Sequence, residues 1–394
     1  MEEKYRTKYL HLLETYKARR EARPLDGSAD VDESYKWGIV SDCKGEKDLE
    51  LVRKTLSDSR QNLMPWREKA SLKDCLNKSR ETLAPIIANL LHSQSPLEER
   101  LSLFSQSAQT LSVDGKSSFG SERTAAVLLT CYDPQNYCFF TPEVYDHLHC
   151  YLEDDGVKGS KYSYFRNRAK ELASLITPEI RKVEDKLPQG SVKSDLLVAQ
   201  DVFWEIFKNT PYILKNRVQR HIEKENDFVC TDQGTDYIWI GTKDKLIGNS
   251  ECHYEFCWNG NKRAGHNYNT VFVEVHFEEK NCVLKNQYTT LLNDDPSIAK
   301  FPWTAGIKGI RLKDKGFNFV DYPNIDDLVE DAFNELKKLN EVVYPAVKQL
   351  KNIETMDQSI SYYKELLLKT KTSSSPVRPV LAKPIWLKIL LRQL

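Results

Sequence analysis

Between Tyr35 and about Arg220, hydrophobic residues recur every three to four positions, a spacing that predicts amphipathic helices. The Ser95-Pro96 and Thr141-Pro142 pairs predict helix starts, because the first helical position does not need the amide that proline lacks. This part of the chain is therefore predicted to be all helical. Three apolar faces support this: Leu49, Val52, Leu56 and Leu63; Leu83, Ile86, Ile87, Leu90 and Leu91; and Leu97, Leu101, Phe104, Ala108 and Leu111.

A helix is also predicted for Glu2–Arg23, followed by a polar linker at Leu25–Ser34. Its acidic residues offset much of its positive charge. We expect a solvated surface helix that docks a partner through its tyrosines. The residues at helical spacing are Tyr5, Tyr9, Leu12, Leu13 and Tyr16.

The pattern changes near Asp227, where short runs rich in β-branched and aromatic residues are separated by Gly, Asn and Asp. In Thr270–Phe277 valines alternate with larger or polar side chains, and this period of two predicts a strand with one face in a core. Asn259–Asn269 is then the loop of a hairpin. The predicted strands are Tyr237–Ile240, Cys252–Trp258, Thr270–Phe277 and Ile307–Leu312.

Two helices are predicted after the strands. The first has apolar positions from Ile325 to Val347 and acidic residues in its first turns, where the helix dipole favours them. The second spans Ile353–Lys369. Lys371–Lys383 has the composition of a linker, and the apolar, basic tail Pro384–Leu394 is too short to span a membrane.

This order of elements predicts an α+β fold: a helical N-terminal domain followed by a smaller mixed α+β domain with a central antiparallel sheet. The length of 394 residues suffices for two or three cores. The predicted domains are 1–34 (N-terminal helix and linker), 35–221 (helical domain), 222–350 (α+β domain) and 351–394 (C-terminal helix, linker and apolar tail).

Composition restricts the possible functions. Lys and Arg number 57, as do Asp and Glu, so the net charge is zero and gives no general affinity for nucleic acid. The N-terminus lacks the apolar core of a signal peptide, and no stretch of about 18–20 apolar residues occurs. We therefore expect a soluble, cytoplasmic protein with no membrane partner.

The nine cysteines are scattered and odd in number, which predicts free buried thiols. The candidate cluster is Cys230, Cys252, Cys257 and Cys282. Zinc sites usually contain tight Cys-x-x-Cys or histidine pairs, whereas Cys252 and Cys257 are spaced to point to opposite faces of one strand. Core cysteines are the favoured interpretation, and the sequence predicts neither a metal nor a cofactor.

Residues 124–145 read Thr-Ala-Ala-Val-Leu-Leu-Thr-Cys-Tyr-Asp-Pro-Gln-Asn-Tyr-Cys-Phe-Phe-Thr-Pro-Glu-Val-Tyr. This run resembles a segment upstream of the ATPase in many McrB-type proteins, where a buried helix ends in an aromatic-x-Pro turn before a second, Tyr-containing helix. Tyr35-Lys36-Trp37, Asn62-Leu63 and the Asp201–Phe207 helix also fit the helical region of that family. The matching positions in the run are Tyr132, Pro134, Tyr137, Phe139, Phe140 and Tyr145.

McrB-type proteins combine a DNA-recognition part with a GTP-dependent AAA+ motor and work with a separate nuclease subunit. This sequence departs from that pattern, because it has no G-x-x-x-x-G-K-[ST] loop to hold nucleotide phosphates. The resemblance therefore implies the DNA-recognition or adaptor part of a restriction and defence system. Its implied partners are DNA, possibly carrying modified cytosine, and an AAA+ motor or nuclease subunit.

Three basic and aromatic stretches are candidate nucleic-acid-binding sites, since aromatic faces stack bases while cations hold phosphates. Trp258, Tyr268 and Trp303 are candidates to stack on a flipped-out base. For each stretch the alternative is a solvated face with half-buried aromatic residues. The candidates are Lys161, Arg166 and Arg168; then Trp258, Lys262, Arg263, His266 and Tyr268; and then Trp303, Lys308 and Arg311.

A restriction-type nuclease, degenerate or active, is an alternative function. Such enzymes place an Asp and then a Glu-x-Lys or Asp-x-Lys sequence on a central hairpin, where carboxylates hold a metal ion. The candidates here are Glu274, His276 and Asp236, with His276 at the lysine position and Glu255 as an extra carboxylate. Glu274 and His276 fit equally well as a polar pair on a half-buried face, so no catalytic residue is assigned.

The sequence thus favours DNA recognition or an adaptor role in an McrB-type system. Besides the nuclease, the other alternative function is that of a protein–protein adaptor. It would dock a motor subunit through Tyr5, Tyr9 and Tyr16 or through the tail Pro384–Leu394.

Overall fold

The computed structural model describes residues 1–21, 35–58, 62–111, 118–182, 194–249, 252–258, 269–277, 309–311 and 316–372. The predicted linker Leu25–Ser34, most of the predicted linker Lys371–Lys383 and the tail Pro384–Leu394 lie outside these ranges. Lys371 and Thr372 belong to the last helix, so the predicted start of that linker is wrong.

Helices make up the first part of the described chain and its end. One continuous run of helix joins α11 and α12 through a π-helical turn, Glu205–Asn209. The helices are α1 (Glu3–Glu21), α2 (Tyr35–Asp42), α3 (Asp48–Ser57), α4 (Trp66–Lys78), α5 (Arg80–His92), α6 (Leu97–Leu111), α7 (Glu122–Tyr132), α8 (Pro142–Leu152), α9 (Lys161–Ala173), α10 (Pro178–Lys182), α11 (Asp195–Trp204), α12 (Thr210–Lys224) and α13 (Ile325–Thr372).

The strands form one antiparallel sheet in the order β1-β2-β3-β4-β5, and β6 pairs with the start of β4. A helical region followed by a mixed part with an antiparallel sheet confirms the predicted fold class. The predicted hairpin of two strands is β3–β4. The strands are β1 (Phe228–Gln233), β2 (Tyr237–Thr242), β3 (Cys252–Cys257), β4 (Thr270–Phe277), β5 (Gly309–Arg311) and β6 (Phe317–Asn318).

Helix α1 belongs to the core, so the expectation of a solvated surface helix is wrong. Tyr5, Tyr9 and Tyr16 are at most 4% exposed, and Leu12 and Leu13 are buried with them. Burial of these apolar and aromatic surfaces holds the helix against its neighbours. The three tyrosines are therefore not accessible for docking a partner, as the adaptor alternative required.

Hydrogen bonds fix the C-terminal half of α1 to residues 319–322, which precede α13. Thr15 Oγ1 donates to the carbonyl oxygen of Val320 at 2.9 Å. The buried guanidinium of Arg19 donates to the carbonyl oxygen of Phe319 and to Thr210 Oγ1. Because Thr210 begins α12, one side chain joins three segments that are distant in sequence.

Helix α13 is a single helix, whereas the sequence predicted a separate one at Ile353–Lys369. It contains Pro345, which cannot donate a hydrogen bond to the carbonyl one turn earlier. An interior proline kinks or breaks many helices, but this helix continues through Pro345. Within the described residues, no helix has both the length and the apolar character that crossing a membrane requires.

The sheet packs one face on α13. On this face Tyr254 pairs with Val275 and Phe256 with Val273 across the β3–β4 hairpin. The ring of Phe256 lies 4.9 Å from that of Phe333 in α13. The opposite face carries the alternate residues of β3 and β4, and these are also buried, although the sequence predicted a strand with one face in a core.

Candidate functional site

A cavity of about 90 Å³ lies in the helical region, between α2, α7, α11 and the α7–α8 connection. Its volume is several times what one water molecule needs. Two cations line it, and no carboxylate is among the described residues of its wall. The polar lining residues are Lys36, Asn62, Arg123, Thr141 and Gln200, and the aromatic ones are Phe139, Phe140 and Trp204.

Lys36 is placed by the docking of α2 on α11. The indole of Trp37 donates to Asp201 Oδ2 at 2.8 Å and fixes the two helices to each other. Lys36, which precedes Trp37 in the chain, is 2% exposed, and its Nζ lies 3.8 Å from the centroid of the Trp204 ring. An ammonium group over an indole face is stabilised by the ring quadrupole.

Arg123 lies in the first turn of α7, where Ser121 caps the helix by accepting from the amide of Thr124. Its Nε donates to the carbonyl oxygen of Leu63 at 2.6 Å, and its Nη2 lies 3.4 Å from that of Asn62. A guanidinium has five N–H donors, so these bonds orient Arg123 and leave it capacity to bind an anion.

Gln200 and Trp204 lie one turn apart on α11 and so share one face of the helix. Gln200 is 3% exposed. Among the described residues, neither Gln200 Oε1 nor Trp204 Nε1 has a hydrogen-bond partner, although both atoms are shielded from solvent. The π-helical turn begins directly after Trp204, and such turns occur frequently at functional sites.

Helix α9 carries the first predicted group of nucleic-acid-binding residues, but all three of them contact their own protein. Lys161 Nζ lies 3.0 Å from Asp146 Oδ1. Arg166 Nε donates to the carbonyl oxygen of Asn136 at 2.6 Å, and its guanidinium lies 4.8 Å from the ring centroid of Tyr137. Lys161 is still half exposed, whereas Arg166 is half buried.

Arg168 forms two ion pairs and is more buried than Lys161. It lies 3.1 Å from Asp154 and 3.0 Å from Glu171, and its side chain is only 17% exposed. Tyr162 and Phe165 of the same helix are buried in the core. The basic and aromatic pattern of α9 is thus accounted for by ion pairs on one side and packing on the other.

Most of the second and third predicted groups lies outside the described residues. Arg311 is described through its backbone alone, which pairs with Glu274. Trp258 is 2% exposed, with its backbone N–H donating to the carbonyl oxygen of Asp236, so it has no open ring face for a flipped-out base and that expectation is wrong. The undescribed candidates are Lys262, Arg263, His266, Tyr268, Trp303 and Lys308.

The second buried polar feature is a histidine–glutamate cluster on the β3–β4 hairpin. His253 pairs with His276 across the strands, and Glu255 pairs with Glu274. All four side chains are at most 6% exposed. Glu274 and His276 form the polar pair that was one of the two interpretations, with 2.6 Å between Glu274 Oε2 and His276 Nε2, but the pair is buried rather than half-buried.

Asp236 is not part of this cluster. It lies in the turn between β1 and β2 beside Trp258, whereas the residue of β2 opposite Glu255 is Trp239. Asp236 and Trp239 are three positions apart, which corresponds to about 10 Å along a strand. The structure therefore brings Glu274 and His276 together with Glu255, but not with Asp236 as the nuclease alternative required.

The cysteines show no zinc-like arrangement among the described residues. Cys252 and Cys257 are buried, whereas Cys230 is exposed on β1, and all three are free thiols. Burial raises the pKa of Cys138 to about 12, so this thiol stays protonated and unreactive. The prediction of free buried thiols is confirmed for most described cysteines, while Cys282 lies outside the described residues.

The two features differ in how far local sequence patterns indicate them. His253 and Glu255 alternate with Tyr254 and Phe256, so the period of two that identified β4 was also present in β3. The cavity residues carry no local motif, because Lys36, Arg123 and Gln200 meet only after folding. No protein-family model, curated protein or solved structure matches this chain.

Proposed function

We propose that this chain is the DNA-recognition part of an McrB-type defence system and that its helical cavity binds a phosphate group of the DNA. One observation carries the proposal: the segments that resemble McrB-type proteins contribute to the wall of this one cavity. They supply Lys36, Asn62, Leu63, Phe139, Phe140 and Trp204.

The chemistry of the cavity supports an anionic ligand. Lys36 and Arg123 bring two positive charges to a wall on which no described residue is acidic. Arg123 is half-buried, whereas Lys36 is 2% exposed, and Arg123 has donors to spare, so it is the group that a backbone phosphate would reach first. Phosphate contacts fix the position of a protein on DNA, and base contacts made elsewhere supply its sequence preference.

Binding of methylated and unmethylated duplexes, measured by electrophoretic shift at moderate salt, tests this proposal. Arg123→Gln is expected to weaken binding of both duplexes by a similar, several-fold factor, because a phosphate contact does not read sequence. Arg181→Gln is the matched control, since Arg181 is a half-exposed helical arginine paired with Asp195 away from the cavity wall. Absence of binding by the wild type, or equal losses in both variants, would refute the proposal.

A further inference from the structure

Four ionisable side chains occupy the centre of the β3–β4 hairpin, on the face opposite α13. His253 is fully buried, Glu255 and Glu274 are at most 1% exposed, and His276 is 6% exposed. Removing two carboxylates from water is costly unless positive charge compensates for them. Such charge can come from a protonated histidine or from a bound cation, and the geometry of the histidines bears on this choice.

Each histidine has one ring nitrogen held by an acceptor and the other near Glu255. His253 Nδ1 lies 3.2 Å from the carbonyl oxygen of Asn249, to which it donates, so in the neutral ring Nε2 is an acceptor. His276 Nε2 lies 2.6 Å from Glu274 Oε2, and His276 Nδ1 lies 3.1 Å from Glu255 Oε2. Metal-ligating histidines show this pattern, in which a carbonyl or carboxylate orients the ring from its far side.

His253 Nε2 is the atom that a simple hydrogen-bond network does not explain. It has no hydrogen-bond partner among the described residues, and it faces Glu255 Oε2 at 3.8 Å. Two acceptors facing each other in a dry interior repel unless a cation lies between them. Donor atoms on one zinc ion lie roughly 3.4–3.8 Å apart at tetrahedral or slightly wider angles, so the gap has the width of a shared metal.

We propose that His253 Nε2, Glu255 Oε2 and His276 Nδ1 bind one divalent metal ion of the zinc type. The three donor atoms lie within 4.8 Å of one another, so a closure of about an ångström brings them into coordination range. Glu274 and the carbonyl of Asn249 orient the two histidines. The nitrogen and carboxylate donors suit zinc and its neighbours, and the ion ties β3 to β4. This site goes beyond DNA recognition and is independent of it.

Zinc binding by the whole chain is the direct test. Protein stripped with a chelator is dialysed against zinc sulfate and its metal content is measured by mass spectrometry, with one equivalent per chain expected. Cobalt in place of zinc is expected to give visible absorption bands. It is also expected to quench the fluorescence of Trp239, whose ring stacks on His253 at 3.8 Å. These wild-type measurements do not depend on whether a variant folds.

Variants then locate the ion. His253→Gln and Glu255→Gln are expected to lower zinc affinity at least about 100-fold, and Glu274→Gln about 10–100-fold through the orientation of His276. His92→Gln is the matched control, because His92 also pairs with a carboxylate, at 2.7 Å from Asp48, but on the surface. No zinc uptake by the wild type, or uptake unchanged by His253→Gln and Glu255→Gln, would overturn the proposal and leave a closed histidine–glutamate network.

Discussion

At the residue scale, single polar side chains join segments that hydrophobic packing alone would leave loosely held. Asp244, in the connection after β2, accepts from Thr242 Oγ1 at 2.6 Å and from the hydroxyl of Tyr344 in α13 at 2.5 Å. These two bonds, that of Thr242 being the larger cause, hold the pKa of Asp244 below its usual value. The ionised carboxylate thus stabilises the contact between the sheet and α13.

Replacement of Asp244 by Asn is expected to change how stability depends on pH. Since folding lowers the pKa of Asp244, its contribution is complete above the unfolded value of about 3.9 and is lost as pH falls through the folded value. We expect Asp244→Asn to cost roughly 1 kcal/mol at pH 7, as one charged hydrogen bond at an exposed position does, and little at pH 2. Thermal unfolding of both proteins at the two pH values measures this.

The control for that prediction is Asp155→Asn, since Asp155 is exposed in the loop after α8. An equal loss of stability at pH 7 and pH 2 in Asp244→Asn would show that the carboxylate charge does not matter.

At the scale of elements, local periodicity predicted most helices and the strands β2, β3 and β4, whose apolar spacing is regular, but it did not predict β1 or β6. It could not predict that α1 is buried, since Tyr5, Tyr9 and Tyr16 have the same spacing on a surface helix and on a core helix. It also predicted the alternation of β4 but not the burial of Glu274 and His276. Whether a second face is buried depends on what packs over it, and that is not encoded in the strand itself.

Removal of Arg19 tests whether α1 is an integral part of the fold. Its guanidinium is buried and donates to Phe319, Tyr322 and Thr210, so Arg19→Met leaves these acceptors without their donor. We expect a loss of roughly 2–4 kcal/mol in the free energy of unfolding, measured by urea denaturation.

Arg6→Met is the matched control for this loss, because Arg6 lies on the same helix with its side chain 50% exposed. Its change is expected to stay within about 0.5 kcal/mol. If Arg19→Met were equally harmless, α1 would contribute little to the fold.

At the scale of the whole molecule, the order of helical and mixed regions predicted the fold class, whereas the sites emerged only from tertiary structure. Lys36, Arg123 and Gln200 come from three helices separated by dozens of residues, so no motif search joins them. The basic and aromatic stretch of α9 shows the opposite case, in which a motif is present in the sequence but does not form an open site. A strong local pattern there is used for internal ion pairs and core packing rather than for an open binding face.

The salt dependence of DNA affinity tests the central claim most directly, because each phosphate contact adds about 0.9 to the slope of log affinity against log salt concentration. Fluorescence anisotropy over a range of salt should give a slope smaller by about one for Arg123→Gln. Arg123→Lys, which keeps the charge, and Arg181→Gln should both keep the wild-type slope. One common slope for all four proteins, or no measurable binding by the wild type, would contradict phosphate binding in the helical cavity.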